Sequence, residues 1–115
     1  MNVIWKTIKA CLLVSLFLIS STSVNGQMKA IYFNAEWNSA NNIEWFSELS
    51  DVKKQTMDIG EGDCQEKYQI AIVPTIVLFK DGEEVKRFQA DLSFKMVATR
   101  KEIQNAIDEL LMSDF

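Results

Sequence analysis

Downstream of residue 26 the chain holds one thiol, Cys64, and its chemistry would be thiol–disulfide exchange or the cross-linking of two subunits. The cysteine follows Asp63 at the expected start of a short helix, where the helix dipole favours a thiolate. Glu61, Asp63 and Glu66 surround it, and negative neighbours disfavour the charged form. No Lys adjoins it and the chain contains no His, so an inert, partly buried cysteine is the plainer expectation. Glu36 and Glu44 are the nearest thing to a carboxylate pair for acid–base work, and both read as solvated. The absence of His removes the commonest general base and the commonest metal ligand together. No metal-ligand spacing, phosphate-cradling glycine loop or nucleophile–base arrangement occurs, so no metal and no cofactor are expected.

A second feature has the look of a site without its reagents. The stretch "AEWNSANN" (35–42) follows the apolar run "KAIYF" and precedes a helical pattern. Trp37 stands at a strand-to-helix turn, a common place for working residues. Around it are Asn38, Ser39, Ala40 and Asn41. Asn38 or Ser39 is expected to cap the following helix by accepting a backbone N–H bond.

The amino-terminal residues read as an export signal. Lys6 and Lys9 are its only charges, and "ACLLVSLFLI" (10–19) is a continuous apolar run before the small, polar "SSTSVNG". Ten residues make about 15 Å of helix, half of a ~30 Å hydrocarbon core, so a cleaved signal is expected rather than a stable span. Cleavage after Gly26 leaves a domain over 27–115, exported to a periplasm or secreted. Of the 12 basic residues, 10 remain against 16 acidic ones, a net charge of −6. That balance, with no basic cluster, argues against nucleic acid and anionic membrane surfaces as partners. With Cys64 alone, no internal disulfide can form, and the fold must rest on its core.

The elements that must position these residues follow from periodicity. Residues 28–34 are apolar on both faces, as in a central strand. Ile43, Phe46 and Leu49 mark an amphipathic helix of about ten residues, with Trp45 packing on its surface or into the sheet. Residues 52–60 form a weaker strand, and Asp63 with Glu66 makes a cap-like pair for a short helix through Tyr68. Thr75–Phe79 is a strand, and Asp81-Gly82 signals a hairpin. Phe88, Ala90, Leu92, Phe94 and Met96 alternate with polar residues, predicting one long edge strand to about Met96. Thr99 and Glu102 form a capping box ahead of an apolar stripe at Ile103, Ala106, Ile107, Leu110 and Leu111. The order β-α-β-α-β-β-α implies an α/β fold, a four-stranded mixed sheet flanked by helices, with a parallel crossover and then a hairpin.

This order, with these words in it, resembles the thioredoxin family. "AEW" ends the first core strand where thioredoxins read A-E-W-C-G-P-C. "EKYQIAIVPTIVLFKDGEEVKRF" is similar to the family's stretch around its cis-proline, and the last helix starts with a polar cap. The likeness spans residues 28–115, truncated by the family's opening strand and helix. It implies that Pro74, the only proline, is cis and faces the turn after Trp37. It also implies that Asn38 and Asn41 stand where the two redox cysteines would be. Tyr32 takes the place of a buried acid, and Asn42 the place of a common lysine.

Thiol exchange needs a thiolate and a second thiol to resolve the mixed disulfide, and an amide supplies neither. The resulting expectation is an exported, redox-inactive thioredoxin-like domain that binds a peptide or protein, as a folding or assembly accessory. Its groove would be Trp37, Asn38, Ala40, Asn41, Val73 and Pro74, with the backbone before Pro74 pairing with an extended chain. One alternative is a thiol–disulfide oxidoreductase working through Cys64 alone. Another is a structural domain that forms a homodimer through the edge strand around residues 85–96.

Overall fold

The computed structural model describes residues 27–113. The expected export signal lies outside them. The elements are β1 (Met28–Asn34), two 3₁₀ turns (Glu36–Asn41 and Glu44–Glu48), β2 (Lys53–Asp58), α1 (Cys64–Lys67), β3 (Thr75–Lys80), β4 (Glu83–Gln89) and α2 (Arg100–Met112). The sheet order is β2-β1-β3-β4. β1 pairs with β2 in parallel, and β1–β3 and β3–β4 are antiparallel. This is the four-stranded mixed sheet of a thioredoxin-like α/β fold.

β1 holds the molecule together because it is apolar on both faces. Met28, Ala30 and Tyr32 point to one side, where Ile43, Phe46, Leu49, Ile76, Leu78, Ile103, Ala106 and Ile107 complete a core. Ile31 and Phe33 point to the other, with Ala35, Ile70, Val73 and Val77. The alternation of a strand thus feeds two cores from one run of seven residues. α2 covers the first face, and its Thr99–Glu102 capping box is formed in both directions. Asp81 and Gly82, at φ 54° and 87°, make the two-residue β3–β4 turn. Among the described residues no helix is long and apolar enough to cross a membrane.

Four expectations about local structure are corrected. The ten-residue helix after Trp37 is two 3₁₀ turns, broken by extended backbone at Asn42. Ile43, Phe46 and Leu49 are all buried, and their spacing of three suits the three residues per turn of a 3₁₀ helix. Neither Asn38 nor Ser39 caps it: the preceding flank is Ala35, and no side-chain cap bond is made. Nor does Asp63 cap α1. The long strand to Met96 stops at Gln89. A single bridge joins Ala90 to Met96, and the residues between them form a loop. Asp91 Oδ1 accepts bonds from the Ser93 N–H (2.9 Å), the Ser93 hydroxyl (2.6 Å) and the Lys95 N–H (3.3 Å), which turns the chain back on itself. Phe94 sits at φ 65°, outside any strand conformation. Leu92, expected on the apolar face, is 91% exposed.

Candidate functional site

The end of β1 carries a closed network of amides. Asn34, the last residue of the strand, and Asn38, in the first 3₁₀ turn, are both buried. Asn38 Nδ2 donates to Asn34 Oδ1 (3.0 Å) and to the Phe94 carbonyl (3.2 Å). Asn38 Oδ1 accepts from Asn41 Nδ2 (2.9 Å). Asn34 Nδ2 donates to Asn42 Oδ1 (2.7 Å), with longer contacts to the Tyr32 hydroxyl and the Asn38 carbonyl. The Tyr32 hydroxyl donates to Asn42 Oδ1 (2.9 Å) and accepts the Ile43 N–H (2.9 Å). Burial is the main reason that the Tyr32 hydroxyl holds its proton more tightly than a free tyrosine.

A primary amide has two donor hydrogens and one acceptor oxygen. Asn38 uses both hydrogens and accepts on its oxygen. Among the described residues no buried side-chain nitrogen or oxygen is left without a partner. The network therefore avoids the penalty of about 1–3 kcal/mol that an unpaired buried polar group carries. It also defines what this turn can do. Every member is neutral near pH 7, and none is a nucleophile or a thiol.

Trp37 stands outside the network and is 66% exposed. Its ring meets Phe94 edge-on at 5.2 Å between centroids. Ser39 and Ala40 are exposed and Asn41 is half-buried. Trp45, by contrast, packs against the core on the α2 side. The Val73–Pro74 peptide bond is cis. Val73 is only 1% exposed and Pro74 is fully buried. The Pro74 carbonyl accepts the Ala90 N–H (3.0 Å), which ties the proline to the start of the 91–95 loop. Through Phe94, that same loop reaches Trp37 and Asn38.

The expected groove residues thus fall into two groups. Trp37, Asn38, Ala40 and Asn41 share one turn. Val73 and Pro74 lie in the loop before β3, and residues 90–94 connect the two groups. Asn38 is committed to internal bonds and presents no free hydrogen. Sequence reasoning missed Asn34, Asn42 and Phe94. A signal for the first two was present: four of the nine residues 34–42 are asparagine.

Cys64 takes no part in this network. Its thiol lies 3.7 Å from Met57 Sδ and packs against the core that contains Phe33 and Val73. Burial pushes the thiol pKa up, Glu61, Asp58 and Asp63 push it further, and Lys67 opposes them. Glu36 and Glu44 are both exposed. Among the described residues no group of three His, Cys, Asp or Glu side chains is placed to hold a metal ion.

Solved thioredoxins share this architecture. A point-mutant thioredoxin from Halobacterium salinarum NRC-1 superposes with a TM-score of 0.59 at 24% identity, over 82% of each chain. The reduced Schistosoma mansoni thioredoxin pre-protein gives 0.60 at 21% identity, over 81% of this chain and 86% of that one. Fasciola hepatica thioredoxin gives 0.53 at 23% identity, over 80% and 89%. No protein-family model matches the chain, and no curated protein does. At these identities the likeness establishes the thioredoxin-like fold and nothing finer.

Proposed function

We propose that this chain is an exported, redox-inactive thioredoxin-like domain that binds an extended peptide or protein segment beside Trp37. One observation carries the reading. The two positions that match the family's cysteines are amides bonded to each other, Asn41 Nδ2 to Asn38 Oδ1, while the adjacent Trp37 stays 66% exposed. Amides cannot exchange disulfides, whereas an exposed indole is a good contact for apolar side chains. The raised thiol pKa of Cys64 weighs against the single-cysteine reading.

The test is binding of a reduced, carboxymethylated polypeptide, which stays unfolded and offers no thiol. Binding should survive Cys64→Ser and weaken at least tenfold in Trp37→Ala. Binding that is absent, or indifferent to Trp37, would overturn the reading.

A further inference from the structure

The two edges of the sheet differ. The β4 edge lies beside a register shift at Leu78/Phe79, and its strand ends at Gln89. β2 pairs with β1 on one side only, without any shift, and its residues Lys53–Thr56 are exposed. The ladder tells which of its backbone groups are open. The Gln27 carbonyl accepts the Asp81 N–H, so the odd-numbered residues of β1 turn to β3 and the even-numbered ones to β2. The Asn34 carbonyl accordingly accepts the Ile59 N–H, which sets the backbone groups of Lys53, Gln55 and Met57 toward β1. Lys54, Thr56 and Asp58 therefore turn their N–H and C=O groups outward. Among the described residues only one of these groups meets a backbone partner: the Asp58 carbonyl accepts the Glu61 N–H (3.1 Å) and keeps a second lone pair.

A regular, proline-free edge is a template for another strand. Its charges select the occupant. Lys53 and Lys54 stand at one end, and Asp58, Glu61 and Asp63 at and beyond the other. A second copy running antiparallel lays each basic end on an acidic one. We propose that two copies of this chain join through β2, antiparallel about a two-fold axis at Thr56, into one continuous sheet. Hydrogen bonding restricts the register, because outward-facing residues must oppose outward-facing residues. An axis at Lys54 or at Asp58 would set like charges directly opposite, which is destabilising. An axis at Gln55 or Met57 would give Lys54 and Asp58 no opposite charge. An axis at Thr56 opposes Lys54 to Asp58 of the second copy, and Thr56 to Thr56, both favourable cross-strand pairs. Each opposed pair then exchanges two hydrogen bonds, and the interface is isologous. The contact is short, so association is reversible and depends on concentration.

Sedimentation equilibrium of the whole protein, from micromolar to millimolar concentration, tests the dimer. The mass should double as concentration rises, and protection of the Thr56 amide from hydrogen exchange should rise with it. Thr56→Pro removes an outward N–H and leaves the bonds to β1 in place, as proline does on an open edge. It should weaken association at least tenfold, with the Tyr32 amide still protected as the sign of an intact β1–β2 ladder. Lys54→Asp, which sets two carboxylates opposite each other, should weaken it as much. Lys54→Asp combined with Asp58→Lys should restore it. A monomer at every concentration overturns the proposal, as does Thr56 protection that does not change with concentration. A dimer indifferent to Thr56→Pro lies elsewhere and overturns it too, and a folded charge swap that fails to restore association overturns the register. Should Thr56→Pro lose the Tyr32 protection, the two charge variants decide. Carboxymethylated polypeptide that binds wild type but not Thr56→Pro, with no dimer formed, would assign this edge to a foreign chain and overturn the self-pairing.

Discussion

Asn38 donates one side-chain hydrogen to Asn34, at the end of β1 four residues earlier, and the other to the carbonyl of Phe94, 56 residues further along the chain. A cysteine at position 38 could not make both bonds, since a thiol is a single weak donor. The amide thus has a structural role that explains its place at the end of β1. It closes the buried end of the strand and fixes the loop that runs past the proline.

Removing that amide should be costly for stability. Asn38→Ala leaves Asn34 Oδ1 and the Phe94 carbonyl without their donor, and the unfolding free energy should fall by about 2 kcal/mol. Asn38→Cys should lower it by a similar amount. Urea denaturation measures both. A loss under about 0.5 kcal/mol, the bottom of the range for one net hydrogen bond, would mean that the network holds little.

The loop should also respond to acid. Bonds from the Ser93 hydroxyl and N–H, with lesser help from Lys95, hold the Asp91 carboxyl below its ordinary pKa. A depressed folded pKa means that the contribution is fully present above the unfolded value of about 3.9 and is lost as pH falls through the lower, folded one. The Ser93 amide resonance should therefore titrate below about pH 3.9. In Asp91→Asn that titration should vanish. A Ser93 titration centred above the ordinary aspartate value would contradict the geometry of this turn.

Cys64 should be a slow nucleophile. Burial and the acids Glu61, Asp58 and Asp63 raise its pKa, so less thiolate forms at neutral pH than for a free cysteine. The rate of iodoacetamide alkylation against pH should have its midpoint above that of a free thiol. Glu61→Gln should move the midpoint down. A midpoint below the free-thiol value would reopen single-cysteine chemistry.

Much of the fold is written in short-range pattern. β1 betrays its central place because Ala30, Ile31, Tyr32 and Phe33 are apolar on both faces, and the structure buries all four. The β3–β4 turn follows from Asp81-Gly82, and the α2 start from Thr99 and Glu102. The failures have physical causes. Ile43, Phe46 and Leu49 recur at three without a partner at four, and a run rich in asparagine favours local side-chain bonds over an α-helix. Alternation carried the edge strand too far because apolar and polar residues also alternate through 90–96. There the side chain of Asp91 and the positive φ of Phe94 override the pattern.

The site was half legible. Trp37, Asn38, Asn41 and Pro74 can be picked out from a family resemblance, and the absence of a thiol from this turn follows from residue type alone. What no local pattern could reveal is the bond between Asn38 and Phe94, because it joins residues brought together only by the completed sheet.

The central claim is that this turn keeps the architecture of a thiol site without its chemistry. Insulin reduction driven by dithiothreitol tests it most directly, with wild type compared against Cys64→Ser. Both proteins should leave insulin precipitating at the rate of dithiothreitol alone. A faster rate in wild type that is lost in Cys64→Ser would contradict the account and assign the activity to the thiol.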